Sequence, residues 1–120
     1  MNRYANAKVL VPVDFSEESA AAVDAALEIA AASSQITLVH VAPPIGSFEP
    51  GVVYIATDEE RRESMLHALQ RRFADTKYRG ISLEILFGDP GHEIAAYAKT
   101  AGIGLIVMPS HGRTGLAHFL

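Results

Sequence analysis

A chain of 120 residues that is 49% hydrophobic and 20% charged has the make-up of one compact domain over 1–120, with room for a single sizeable core. Its net charge of -4 provides no basic surface for a nucleic-acid backbone, and the lack of cysteine excludes a disulfide framework, a thiolate zinc site and a cysteine nucleophile. No apolar run reaches the length of a bilayer span and Met1 to Asn6 holds no signal-peptide core, so the expectation is a cytoplasmic protein with neither membrane nor nucleic-acid partners.

The first element is Ala7 to Asp14, whose apolar part from Val9 to Val13 reads as a strand buried on both faces, since it is β-branched and does not alternate. Pro12 has no N–H to give a ladder, so the hydrogen-bonded part is expected to end just before it. Ser16 then fits a helix N-cap with Glu17 and Glu18 in the first turn. Ala20, Val23, Leu27 and Ala30 follow at helical spacing, and Ser33-Ser34-Gln35 closes the element. Ile36 to Val41 predicts a second buried strand, ending at Ala42-Pro43-Pro44 and completing a β-α-β unit. The segment from Pro43 to Ala56 is rich in proline and glycine yet apolar at Ile45, Phe48, Val52, Val53, Tyr54 and Ile55. Three readings stay open for it: a flap over the ligand edge, a surface packed on a neighbouring chain, or an ordinary surface loop.

Thr57-Asp58-Glu59-Glu60 forms a capping box that opens a second helix. Met65, Leu66, Leu69 and Phe73 make its apolar face, and Arg61, Arg62, Glu63, Arg71 and Arg72 read as its solvated side. Ile81 to Phe87 begins with apolar-polar alternation, which predicts a strand at a sheet edge. At Gly88-Asp89-Pro90 the aspartate can cap and the proline suits the first helical position. Ile94, Ala98 and Ala101 carry that helix to a terminating Gly102. A last strand is expected from Ile103 to Met108. The order β-α-β-α-β-α-β predicts an α/β fold, a doubly wound, Rossmann-like parallel sheet with helices on both faces.

Several chemistries are missing from the sequence. It has neither a P-loop nor the dinucleotide fingerprint after the first strand, no G-x-S-x-G nucleophile elbow, and no acidic neighbour beside Asp14 of the kind a phosphate-receiving aspartate needs. The five histidines show no metal-binding spacing, and His40 reads as a hydrogen-bonded residue at the edge of the core. What remains is a constellation at three strand ends: Pro12 to Ser16, His40 to Ala42, and Met108 onward through Pro109-Ser110-His111-Gly112-Arg113-Thr114-Gly115. Val13, Val41 and Met108 offer an apolar slot for a flat ring. Gly112 and Gly115 let backbone N–H groups approach an anion, and Arg113 between them supplies donors for phosphate. An ordinary turn after a strand is the plainer alternative, and His111 is either structural or part of the loop's ligand contacts. Asp14 could accept a ribose hydroxyl, hold Mg²⁺ through a water, or only complement the dipole of the helix that follows.

Four of these stretches, in order along the chain, resemble the universal stress proteins: Val11 to Ser16, Leu38 to Val41, Gly88-Asp89-Pro90, and Ile106 to Gly115. In the ATP-binding branch of that family the last motif runs G-x-x-G and then, nine residues on, G-[ST]; Gly112 and Gly115 match its first half. The resemblance implies strand order 3-2-1-4-5, with ATP at the carboxyl ends of strands 1, 2 and 4. It places Asp14 and Val13 at the nucleotide, Val41 at the adenine, and Gly112, Arg113 and Gly115 around ribose and phosphates. The whole set expected at the ligand is Pro12, Val13, Asp14, Ser16, Val41, Met108, His111, Gly112, Arg113 and Gly115, with Mg²⁺ reached by Asp14 through a water. The chain stops at Leu120, before the second glycine-hydroxyl pair and the fifth strand, and so is expected to be C-terminally truncated. The family further implies a homodimer and a regulatory, nucleotide-sensing role. Two other functions stand beside it: a family member that binds no nucleotide and works through dimerisation and protein partners, and a slow ATPase.

Overall fold

The computed structural model describes residues 4, 6–44 and 57–109. Strands β1 (Val9–Pro12), β2 (Ile36–Ala42), β3 (Ser82–Phe87) and β4 (Leu105–Ile106) alternate with helices α1 (Glu17–Ile29), α2 (Asp58–Arg72) and α3 (Pro90–Ala101). The strands form one parallel sheet in the order β3-β2-β1-β4, with Val9 level with Ile36 on one side and with Leu105 on the other. This is the α/β architecture that the alternation of elements predicts, and β3 lies at an edge of the described sheet, as its polar start implies.

Both faces of the sheet are covered. On one, Val9, Val11, Ile36, Leu38 and Ile85 pack with Val23 and Ala26 of α1 and Leu69 of α2. On the other, Leu10 and Val39 pack against Ile94 of α3. Consecutive residues of β1 are therefore buried on opposite sides, which is why the strand shows no polar alternation. Each buried aliphatic side chain contributes about 1.5–3 kcal/mol of transfer free energy.

The helix ends form as their residues dictate. Ser16 accepts from the Ser19 N–H at the start of α1, Thr57 and Glu60 make a reciprocal capping box on α2, and Asp89 accepts from the His92 N–H with Pro90 in the first turn of α3. Helix α3 stops at Gly102, whose φ of 69° is the left-handed conformation that a side chain would strain. Among the described residues no helix is long and apolar enough to cross a membrane.

Three expectations need correction. Pro12 does not end the β1–β2 ladder: it is level with Val39, and beyond it the Val13 N–H donates to the Val39 carbonyl at 2.8 Å. Since successive N–H groups of a strand point to opposite sides, the donor that proline lacks is the one that would face β4. The pairing on that side ends with Val107 N–H on the Leu10 carbonyl at 2.9 Å. The last strand is accordingly limited to Leu105–Ile106 rather than running from Ile103 to Met108. Arg61 is not on a solvated face either; it is 8% exposed and lies over the Phe87 ring, because the end of β3 passes beneath the first turns of α2.

Candidate functional site

The carboxyl ends of β1 and β2 and the chain after β4 meet above the start of α3. Val13 is buried where β1 ends, and Asp14 behind it is fixed from two directions. Its N–H donates to the Ser19 hydroxyl at 2.8 Å, and that hydroxyl donates in return to Asp14 Oδ1 at 2.8 Å. The Ser16 N–H donates to the same oxygen, also at 2.8 Å. Ser19 is wholly buried in the first turn of α1, so a short helical segment and an Asx-type turn together set the direction of the carboxylate.

His40 reaches back from β2 to the same turn. Its Nδ1 lies 2.9 Å from the Val13 carbonyl, and because a carbonyl only accepts, Nδ1 carries the proton. Phe15, exposed at the head of the turn, packs tilted against the His40 ring with centroids 5.4 Å apart. The imidazole is thus a strut between two strand ends, in keeping with its reading as a residue at the edge of the core.

Between these ends lies a cavity of about 260 Å³. From the end of β1 and the turn after it the cavity takes Pro12, Val13 and Asp14, and from β2 Val39, His40 and Val41. Met108 and Pro109 form another wall, and Pro90 and Ile94 of α3 complete it. A second cavity of about 440 Å³ shares Val41 and Pro90 with the first and continues along Pro43, Pro44, Gly88 and Asp89. The first is smaller than the roughly 300–1,000 Å³ usual for small-molecule sites, and the second falls inside that range. A third cavity, of about 400 Å³, lies away from these strand ends, under α2 between Leu66, Phe73 and Leu83.

Of the residues singled out from the sequence, Pro12, Val13, Asp14, Val41 and Met108 are thus brought to one cavity. Ser16 does not line it; its hydroxyl accepts from the Ser19 N–H as the cap of α1. His111, Gly112, Arg113 and Gly115 lie outside the described residues, as does the segment 45–56. Among the described residues no three acidic or histidine side chains converge as a metal-binding cluster. Asp14 by itself fits Mg²⁺ only as an outer partner of an ion held by phosphate, since that ion is ordinarily bound through one or two carboxylates plus phosphate oxygens.

Three contributors were not evident in the sequence. Ser19 stands five residues after Asp14 and three after Ser16, a spacing that places it beside both once α1 is wound. Pro90 and Ile94 enter because α3 packs beneath the ends of β1 and β2, which no local pattern reveals.

The model of the universal stress protein family matches residues 6–120. The chain is 34% identical over 125 residues to the universal stress protein YxiE of Bacillus subtilis (strain 168), covering 94% of this chain and 84% of that one. Among solved structures, universal stress protein UspA from Lactobacillus plantarum superposes with a TM-score of 0.59 at 29% identity, over 83% of this chain and 74% of that one. A family protein from Burkholderia pseudomallei has the same fold, with a TM-score of 0.60 at 24% identity over 92% and 89% of the two chains. From the match of the family model along nearly its whole length, the chain belongs to the universal stress protein family.

Proposed function

We propose that this chain is a regulatory module of the ATP-binding branch of its family, taking an adenine nucleotide at the carboxyl ends of β1, β2 and β4. The observation that carries this reading is the cavity of about 260 Å³ that gathers Val13, Asp14, Val41 and Met108 from three separate strand ends. Apolar side chains on both sides suit a flat base, and the fixed carboxylate of Asp14 suits a ribose hydroxyl. Gly112, Arg113 and Gly115 are assigned to the phosphates on their residue types, and Asp14 would hold a Mg²⁺ ion through a water, the ion supplying charge to neutralise the phosphates. The role is binding and signalling rather than turnover, carried out by a cytoplasmic homodimer.

Calorimetric titration of the protein with Mg-ATP tests the reading. A saturable heat is expected, and Asp14→Ala is expected to weaken affinity about tenfold, the effect of losing one hydrogen bond to a charged group. No heat at millimolar nucleotide would leave the alternative, a family member that works through protein contacts alone.

A further inference from the structure

The exit of β2 poses a structural problem that Arg61 solves. The ladder between β2 and β3 closes with the Gly88 N–H on the Ala42 carbonyl at 2.9 Å, and the next two residues are Pro43 and Pro44. Neither proline has an N–H, so the backbone of this stretch can hydrogen-bond only through its carbonyls. Arg61 Nη2 donates to the Pro43 carbonyl at 2.9 Å. The guanidinium is itself fixed: Nη1 lies 3.4 Å from Asp58 Oδ1, its carbon lies 4.7 Å from the centre of the Phe87 ring, and the residue is 8% exposed. A buried cation with a partner in each of three directions has little freedom to move.

Pro43 and Pro44 line the second cavity, which shares Val41 and Pro90 with the first. A purine seated on Val41 reaches further toward that wall than a pyrimidine does. We infer that Arg61 is a positioning residue that sets the base selectivity of the site, by pinning the Pro43 carbonyl so that the rigid Pro-Pro stretch stands where a purine edge meets it. This rests on the nucleotide reading given above.

The test is calorimetric titration with Mg-ATP and with Mg-UTP of the whole chain as wild type, Arg61→Met, Arg61→Lys and Phe87→Leu, each melted beforehand to show that it folds. The wild type is expected to prefer ATP, and Arg61→Met to lose about tenfold in ATP affinity with UTP little changed. Arg61→Lys keeps one donor for the carbonyl and is expected to fall between the two. A purely structural role would weaken both nucleotides by the same factor, so the ATP-to-UTP ratio is the decisive reading. Should Arg61→Met not fold, Arg61→Lys and Phe87→Leu carry the test, both with a lowered ratio. A wild type that prefers ATP, with every folded variant keeping its ratio, overturns the proposal and leaves the nucleotide reading standing. A wild type without base preference also overturns the proposal alone, and one that binds neither nucleotide overturns both.

Discussion

Ser19 illustrates how much a single small side chain can do in this fold. Its buried hydroxyl accepts from the Asp14 N–H and donates to Asp14 Oδ1, so Ser19→Ala strands a backbone donor and removes one of the bonds that orient the carboxylate. We predict a loss of about 1–3 kcal/mol in urea unfolding, the usual cost of an unsatisfied buried polar group. Asp14 itself was legible in the sequence as a strand-end carboxylate. Its partner was not, because a bond between positions five apart exists only after the turn and the first helical residues have formed together. Arg61 was misread for a related reason: a charge pattern along a helix shows where cations are, not which strand end passes beneath them.

The elements carry their own pH signatures. At the start of α2 the Glu60 carboxyl is held below its ordinary value of 4.5, first by the backbone N–H of Thr57 and then by the Thr57 hydroxyl. A lowered carboxyl stabilises the fold above the ordinary carboxylate range, and that contribution is lost as pH falls through the lowered value. The difference in Tm between wild type and Glu60→Gln is therefore expected at neutral pH and should vanish in acid; a gap that persists there would count against the cap. Thr57→Ala should cost about 1 kcal/mol whenever the cap is intact.

Across the 3₁₀ turn Thr76–Tyr78 the sign is opposite. Burial, then a hydrogen bond to Asp24 at 2.9 Å, raises the Tyr78 hydroxyl above its ordinary value of 10.0. Lys77 is raised by its bonds to Tyr78 and to Asp24. Raised groups stabilise fully below their unfolded values and lose that contribution as pH climbs through the folded ones. Tyr78→Phe should accordingly flatten the fall in stability above about pH 10, followed by chemical denaturation at a series of pH values.

At the scale of the whole molecule, the burial of both sheet faces follows from apolar runs that do not alternate, set between amphipathic helices, whereas the strand order was implied by the family resemblance alone. Leu38 sits in the middle of that arrangement with no exposure, and Leu38→Ala should cost about 2–5 kcal/mol in an unfolding titration. The extent of β4 was less legible, since it is set by a proline on another strand. Pro12 removes a donor that faces β4 while the β1–β2 ladder continues past it. The candidate site is legible in its wall residues, because strand ends can be located from where apolar runs stop. Its depth was not, because Pro90 and Ile94 reach it through the packing of α3 under the sheet.

Everything proposed about function depends on a nucleotide at those strand ends rather than elsewhere. The measurement that bears on it most directly is a ¹⁵N-labelled spectrum of the full chain recorded through a titration with Mg-ATP. The account predicts saturable shifts of the Val13, Asp14, Val41 and Met108 amides, with Leu66 and Tyr78, which line the cavity under α2, left in place. Shifts confined to the residues around Leu66 and Tyr78, or none at millimolar nucleotide, would contradict it.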